Sequence, residues 1–511
     1  MPRISLILFS IAAFFLFSGN TDKDPMNILF ISVDDLKPML NVYGHDIIHT
    51  PNFDRLANEG ILFTNAYSQQ AICSPSRASL LTGLRPDSTR VYDLNTHVRE
   101  TVPGVVTIPQ HFKEHGYSTR GWGKLFHFPG RGREHDLRPG SETYDSFAWT
   151  EGWNMGGHKD YADKDNIAYN RMRDKFAEER GLNGLEHYLF TRGPSVEIAD
   201  VPDIAYSDGH MTMELVEALQ GKAGTEEPFF YAIGFIRPHL PFSAPRKYWD
   251  LYDPAEISLP DFMKMPEGAP EFAFQDSWEL RNYPDIPGRG EPIPEEKQLE
   301  LTHGYYASVS FIDAQIGIIL DALEETGLDE NTAIVLFGDH GYHLGDHGMW
   351  CKHTNYEQAT HSALMFRHPD LFSKTVVKRP VELLDIFPTL VEFAGLEMPE
   401  MIQGQSFVPL MENPASDWKP YALSQYPRNI HGDPNGMGYS IRSDRYRYTE
   451  WVVNPEWDGT NFFHPEPGNQ VIARELYDYQ EDYEETRNLA HDPDYADVLN
   501  KMKNLMYENQ Q

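Results

Sequence analysis

The sequence predicts an α/β fold, a mostly parallel β-sheet sandwiched by helices, followed by a smaller C-terminal α+β subdomain with an antiparallel sheet. Three apolar, β-branched runs end abruptly in polar residues: NILFISVDD (27–35), PFFYAIGFIRPH (228–239) and TAIVLFGDHG (332–341). Unbroken apolar runs of strand length suit a parallel sheet covered on both faces, because no side chain there meets water. Segments with helical patterning lie between them, and such alternation places functional groups at the carboxyl ends of the strands. From about Trp418 the pattern changes to short aromatic-rich segments, GYSIRSDRYRYTEWV (438–452) and ARELYDYQEDYEETRNL (473–489), that alternate as antiparallel strands do. A polar tail then closes the chain. At 511 residues, 40% of them hydrophobic, the chain can bury a large core and accommodates two or more domains.

The N-terminal stretch MPRISLILFSIAAFFLFSGNTDKD carries Arg3, an apolar run from Ile4 to Phe17, and then small and polar residues. That is the layout of a secretory signal peptide, expected over residues 1–22, and the run is short for a membrane span. Phe17, three residues before a cut after Gly19, makes a poor cleavage site, so an uncleaved anchor is the alternative. The expectation is an exported protein, periplasmic or secreted, with no later membrane span and no integral membrane partner. A main domain is expected over 23–417 and the C-terminal subdomain over 418–511. IPQHFKEHGY (108–117) and YYASVSFIDAQIGIILDALEETG (305–327) read as helices, the second stopped by Gly327. HFPGRGREHDLRPG (127–140) and YPDIPGRGEPIPEE (283–296) read as long loops of the kind that border a cleft. A formal net charge of −34 argues against nonspecific nucleic-acid binding, which needs a surplus of Lys and Arg. It does not exclude an anionic substrate, since surface charge is screened over about 8 Å at physiological ionic strength.

The strand ends collect the chemistry. Asp34 and Asp35 close the first run; Asp339 and His340 close the last. Three carboxylates and an imidazole at one sheet edge offer hard oxygen ligands and one nitrogen to a divalent cation, Ca²⁺ first and Mg²⁺ next. An Asp pair after a strand can instead cap a helix, but GDHG at a second strand end favours the metal. The other half is AICSPSRASLLTG (71–83). Pro75 suits the first turn of a helix that ends near Gly83, and N–H groups at that helix start favour negative charge at residue 73. A thiol there can be a nucleophile, a metal ligand or an inert buried group. The chain has only two cysteines, Cys73 and Cys351, and in an exported protein a pair would ordinarily suggest a disulfide.

Cys-x-Pro-Ser-Arg followed by Ala-Ser-Leu-Leu-Thr-Gly resembles the signature of the type I sulfatases, in which the Cys is oxidised to Cα-formylglycine (3-oxoalanine). The resemblance implies an alkaline-phosphatase-like fold, an aldehyde at position 73, and no partner for Cys351. It also implies a formylglycine-generating or anaerobic sulfatase-maturating enzyme as a partner. It extends over nearly the whole chain after the N-terminal stretch and is looser in the C-terminal subdomain. By this resemblance Asp34, Asp35, Asp339 and His340, together with position 73, match the metal site for one ion. Many sulfatases have Asn where this chain has His340. That His, with RPDSTRVYDLNTHVRE (85–100) and TIPQHFKEHGYSTRGWGKLFH (107–127), is similar to the iduronate-2-sulfatase branch. Lys124 and His127 in GKLFH, His239 in RPHLPF, and Lys352 in MWCKHTNYE match that branch's catalytic residues.

Those residue types suit a sulfate ester, whose negative charge must be offset while a nucleophile reaches sulfur. The resemblance implies that one hydroxyl of the hydrated aldehyde attacks sulfur and the other, deprotonated by His127, expels sulfate. Lys124, Lys352 and the metal would hold sulfate oxygens, Arg77 would steady the hydrated aldehyde, and His239 would protonate the leaving oxygen. His239 and Lys352 can exchange the acid role. The implied substrate is an O-sulfated sugar in a polysaccharide or oligosaccharide: a 2-O-sulfated uronate first, then an algal polysaccharide such as ulvan or carrageenan.

Other residues carry weaker signals. His343 and His347 have a spacing that can bind Zn²⁺ on a helix, but the glycines around them make a loop with a structural or substrate-edge role the expectation. Tyr92, Asp93 and Asn95 can touch sugar, with core packing the alternative for Tyr92. QEDYEETR (480–487) reads as a solvated face, and GRGR (130–133) as a basic loop that can meet a polyanion. Two rival functions remain. A phosphatase, phosphodiesterase or phosphonate hydrolase of the same architecture ordinarily presents Ser or Thr as nucleophile when it uses two zinc ions, and Cys73 weighs against it. An inactive calcium-dependent glycan-binding protein would not need every catalytic role filled.

Overall fold

The computed structural model describes residues 25–127, 147–154, 160–182, 187, 190–371, 374–430, 433–454 and 470–509. The expected signal peptide and the GRGR loop lie outside these residues. At the centre is a nine-stranded sheet in the spatial order Thr375–Val377, Ile61–Tyr67, His361–Arg367, Thr332–Gly338, Asn27–Val33, Phe229–Phe235, Ser118–Gly123, Gly152–Asn154, with Val381–Glu382 also paired to Ile61–Tyr67. The three apolar runs form its middle, and every residue of their strands is buried. Asn27–Val33 runs parallel to both neighbours, and the reversed strand of the sheet is His361–Arg367. The mostly parallel layer expected from the unbroken runs is therefore present.

Alternate side chains of each central strand go to opposite faces, as the pleat requires. Leu29, Ile31, Val33, Tyr231, Ile233 and Phe235 pack with Phe311, Ile312 and Ile316 of the long helix Glu295–Thr326. Ile28, Phe30, Phe230, Ala232, Val335 and Phe337 pack with Leu80, Leu81 and Phe112 on the other face. The long helix ends at Gly327 in the left-handed conformation (φ 70°), as expected. It is apolar enough to cross a membrane, but 83% of its most apolar window is buried, which makes it a core helix.

The C-terminal segment forms a four-stranded antiparallel sheet in sequential order, Tyr421–Ile430, Asp433–Ser443, Tyr446–Val453 and Gln470–Asp478. The polar tail expected after it is instead the helix Ala496–Asn509. Met502 and Met506, one turn apart, are buried against the sheet with Leu423, Met437 and Tyr448, and Val498, Leu499 and Leu505 of the same helix pack beside them at helical spacing. A buried charge cluster fastens this sheet to the main one. Glu357 accepts from Arg442 Nε at 3.0 Å, from Arg447 at 2.6 Å and from the Tyr67 hydroxyl at 2.9 Å. QEDYEETR is largely solvated as expected, with Glu485 the exception: it is fully buried, accepts from the Tyr479 hydroxyl at 2.6 Å, and burial pushes its carboxyl up to about 8.

Candidate active site

Strand register brings the site together. Val33 lies opposite both Phe235 and Gly338, so the residues that follow all three leave the sheet at one level. Asp34 and Asp35 follow the first strand and are fully buried; Asp339 and His340 follow Thr332–Gly338 and are equally buried. Asp35 takes a left-handed conformation (φ 60°) that no glycine relieves. Two contacts hold it there: its N–H donates to Asp339 Oδ1 at 3.1 Å, and its carbonyl accepts from the Tyr305 hydroxyl of the long helix at 2.8 Å. Strain that the surroundings over-determine in this way is common at functional positions.

Cys73 opens the helix Cys73–Thr82, after an extended Ile72, and the helix stops at left-handed Gly83 (φ 67°), as the motif predicts. Both cysteines are free and buried. The Cys73 sulfur is 3.4 Å from His340 Nε2. Burial, with Asp34 adding to it, pushes the thiol up, so as a thiol this residue is a weak nucleophile. One turn on, Ser76 donates to the Asp339 carbonyl. Arg77 is 2% exposed and donates through Nε to Asp339 Oδ2 at 2.9 Å, to Asp34 Oδ1 and the Ser32 hydroxyl at 3.2 Å each, and to the carbonyls of Lys124 and Leu125. It therefore ties the nucleophile helix to both acidic strand ends and to the turn that carries Lys124.

That turn lies tight on the sheet. A side chain at Gly234 would place its Cβ 2.0 Å from the Lys124 carbonyl, so only glycine admits the approach. Lys124 Nζ pairs with Asp34 Oδ2. Burial opposes ionisation of Asp34, yet Lys124, His239 and Arg77 hold its carboxyl well below the usual range. For Asp339, burial outweighs His340 and Arg77, and its carboxyl is raised. His127 has no hydrogen-bond partner for Nδ1 among the described residues; burial, reinforced by Lys124, pushes its imidazole well below the ordinary value. It is a neutral ring at pH 7, able to take a proton.

On the opposite side, Lys352 Nζ lies 2.8 and 2.9 Å from the two Asp35 oxygens. His239 Nε2 is 4.0 Å from Asp35 Oδ2 and 3.1 Å from Glu279 Oε1. The ligand atoms of Asp34, Asp35, Cys73 and His340 lie within 4.8 Å of one another, a group able to hold a cation. Asp339 stands beside that group with its oxygens turned to Arg77 and the Asp35 N–H, and Oδ2 is 3.7 Å from His340 Nε2. His340 Nδ1 donates to the Gly341 carbonyl at 2.9 Å, so Nε2 is the nitrogen that faces Asp35 Oδ1 at 3.4 Å. One imidazole nitrogen among buried carboxylate oxygens is a donor set suited to a divalent cation, so the residues fit a metal.

Asp34, Asp35, Cys73, Arg77, Lys124, His239, Asp339, His340 and Lys352 therefore stand side by side in space, while His127, three residues beyond Lys124, makes no hydrogen bond to them among the described residues. The sequence reading missed Glu279, which touches both His239 and Lys352, and His353, beside Lys352 in the quoted MWCKHTNYE and only 1% exposed. Glu279 lies in an irregular segment, FQDSWEL, with no motif that would mark it. His343 and His347 form no metal group among the described residues. His343, in the short strand His343–Leu344, meets the Thr354 hydroxyl through Nε2 at 2.9 Å, and His347, left-handed in a short turn, donates to the Glu484 carbonyl at 2.7 Å, so both are structural and non-helical, with a strand rather than a loop at His343. The Tyr92 hydroxyl donates to Asp87 at 3.0 Å, and Asp93 caps the N–H groups of Asn95 and Thr96.

Comparison with known proteins agrees with this geometry. The sulfatase family profile matches residues 26–396, and a profile described as N-sulphoglucosamine sulphohydrolase, C-terminal, matches 345–511. Iduronate 2-sulfatase of Homo sapiens is 33% identical over 94% of each chain. An ulvan-active sulfatase of Formosa agariphila is 26% identical over 88% of this chain and 77% of its own. The crystal structure of a phosphonate monoester hydrolase of Agrobacterium radiobacter superposes with a TM-score of 0.70 at 23% identity, covering 95% of this chain and 96% of that one, which establishes the alkaline-phosphatase-like fold. A fold shared with a phosphonate hydrolase leaves the chemistry to the residues at the strand ends. With those residues in place and the family matched along most of its length, this chain belongs to the sulfatase family and is a sulfuric ester hydrolase.

Proposed function

We propose that this protein is an exported, formylglycine-dependent sulfatase that uses one Ca²⁺, with Mg²⁺ the alternative, to hydrolyse O-sulfate esters of a sulfated polysaccharide or oligosaccharide. The observation that carries the reading is the placement of Cys73 at a helix start against His340 and the acidic strand ends, with Lys124 and Lys352 on either side of the pair Asp34 and Asp35. A 2-O-sulfated uronate is the first substrate class, supported by the similarity to iduronate 2-sulfatase over 94% of the chain. An algal polysaccharide such as ulvan is the second, supported by the Formosa relative. Sulfate release from a panel of defined sulfated oligosaccharides separates the two.

Asp34, Asp35 and His340, with Asp339 beside them, would hold the metal. When bound, the metal supplies a Lewis acid for a sulfate oxygen and eases deprotonation of a hydroxyl on residue 73. Hydrated formylglycine offers two hydroxyls on one carbon, one to take the sulfuryl group and one to release it. The chain's own residues do the rest. Lys124 and Lys352, both kept charged by neighbouring carboxylates despite burial, neutralise sulfate oxygens. Arg77 fixes the start of the nucleophile helix against the acidic strand ends. His127, neutral, accepts the proton of the second hydroxyl, and His239 Nε2 donates to the leaving oxygen.

Residues 1–22 would act as the signal peptide, and a formylglycine-generating or anaerobic sulfatase-maturating enzyme would be the maturation partner. Residues 23–417 would form the catalytic domain and 418–511 the subdomain that borders it. Protein from a host with such an enzyme is expected to carry formylglycine at position 73. Peptide mass spectrometry should find that peptide about 18 Da lighter than the thiol form, because S–H and a hydrogen are replaced by a carbonyl oxygen. A peptide found wholly as thiol in an active preparation would end this mechanism.

The leaving-group role gives a second prediction. A sugar alkoxide needs a proton in the transition state, whereas the phenolate of 4-nitrophenyl sulfate barely does. His239→Ala should lower kcat on a sulfated sugar by about 10²–10⁴-fold and on the aryl sulfate far less. Equal losses would make His239 a sulfate ligand and Lys352 the acid.

A further inference from the structure

Glu279 is a buried carboxylate, 8% exposed, that no motif marks and no role above uses. Three groups face it: His239 Nε2 at 3.1 Å, Lys352 Nζ at 3.1 Å, and His353 Nε2 at 3.7 Å. The His239 ring is fixed at its far end, where Nδ1 lies 2.7 Å from the Leu240 carbonyl. A carbonyl can only accept, so Nδ1 carries a hydrogen and Nε2 is the nitrogen that faces the site. Lys352 Nζ divides itself between the Asp35 carboxylate and Glu279. Among the described residues Asp35 is the other carboxylate near both groups, 4.0 Å from His239 and in contact with Lys352.

We propose that Glu279 is a positioning residue for the sulfatase reaction: in the free enzyme it accepts from His239 Nε2 and so fixes that nitrogen in the site, where the leaving oxygen replaces the carboxylate as acceptor of its hydrogen, while Lys352 keeps its two contacts to Asp35 with or without it. This rests on the sulfatase reading. In the step it serves, an oxygen of residue 73 forms the bond to sulfur as the bond between sulfur and the sugar oxygen breaks. The electron pair goes to the sugar oxygen, which takes the Nε2 proton. His239 is left neutral with Nδ1–H on the Leu240 carbonyl, and Glu279 and Lys352 keep their charges.

Glu279→Gln keeps the shape and removes the anion, and its amide N–H₂ would face the ammonium of Lys352, donor against donor. The test measures kcat for wild type, Glu279→Gln, His239→Ala and the double variant on a 2-O-sulfated uronate disaccharide and on 4-nitrophenyl sulfate, in metal-loaded, formylglycine-bearing protein. Glu279→Gln is expected to lose about 10–100-fold on the sugar and less than about 3-fold on the aryl sulfate, within the range of general acid catalysis. In the double variant the Gln change should add less than about 3-fold to the loss from His239→Ala, because residues that act through one another are not additive. Equal losses on both substrates, or losses that multiply in the double variant, overturn the proposal. Glu279→Asp retains the charge and should recover the sugar rate to within about 10-fold of wild type; a folded Asp variant no better than Gln also overturns it. Wild type inactive on both substrates would instead count against the substrate reading, since it involves no change at Glu279.

Discussion

Cys73→Ala is expected to remove turnover while leaving the protein folded. The side chain is 2% exposed and its hydrogen-bond-distance neighbour among the described residues is His340 Nε2 at 3.4 Å, so truncation deletes a small buried group. The stability lost is about 1 kcal/mol, roughly the transfer free energy of one such group. That lowers the melting temperature by no more than about 3 °C in a chain of this size. Catalysis, by contrast, loses the atom that would bond to sulfur, and removal of a covalent nucleophile costs on the order of 10⁵–10⁶-fold in kcat. Nothing near residue 73 replaces it: Ser76 is committed to the Asp339 carbonyl and Arg77 to Asp339 and Asp34. Sulfate release assayed on Cys73→Ala beside its melting curve checks both halves. Turnover within 10²-fold of wild type would mean that water or another side chain attacks sulfur, and the covalent route would fall.

Asp339→Ala should reduce both turnover and stability, through one set of contacts. Asp339 receives Arg77 Nε at 2.9 Å and the N–H of left-handed Asp35 at 3.1 Å, and it stands beside His340. Truncation leaves a buried guanidinium short of a carboxylate, a loss of about 3–5 kcal/mol for one partner of a buried pair. It also frees Asp35, and with it the group that would hold the metal. Turnover with Ca²⁺ supplied is expected to fall by about 10²–10³-fold or more, the scale of losing one preorganised electrostatic contact. Asp339→Asn preserves the shape and the Asp35 N–H contact but sets its amide N–H₂ against Arg77 Nε, so it should recover only part of the stability and little of the activity. Denaturant unfolding and metal titration of the two variants separate the effects. Full activity in the folded fraction of Asp339→Ala, with an unchanged metal requirement, would make Asp339 purely structural.

The central strands were legible because their signal is local. Asn27–Val33, Phe229–Phe235 and Thr332–Gly338 are buried on both faces, so every residue had to be apolar and the runs stand out. The helix Cys73–Thr82 and the stop at Gly327 were legible for the same reason, since capping and turn chemistry act within a few residues. The closing helix Ala496–Asn509 was read only as a polar tail, although Val498, Leu499, Met502, Leu505 and Met506 carry helical spacing, because the polar residues between them dominate so short a segment.

The active-site residues divide along the same line. Asp34, Asp35, Cys73, Arg77, Lys124, Asp339 and His340 sit in short motifs at the ends of strands or the start of a helix, where spacing along the chain nearly equals placement in space. Their positions follow from those motifs, and the reaction class from the family resemblance that the motifs carry, without coordinates. Glu279 has no such motif; it becomes part of the site because an irregular segment folds a carboxylate between His239 and Lys352, residues separated from it by 40 and 73 positions. Glu485 reads as one more charge in an acidic run and is buried because Arg447 and Tyr479 close over it. Long-range packing sets which charges lose their water and which partners they find, and no local pattern encodes that. Chemistry carried by contiguous residues was therefore readable from the chain alone, whereas the pairing of buried charges across distant segments required the folded molecule.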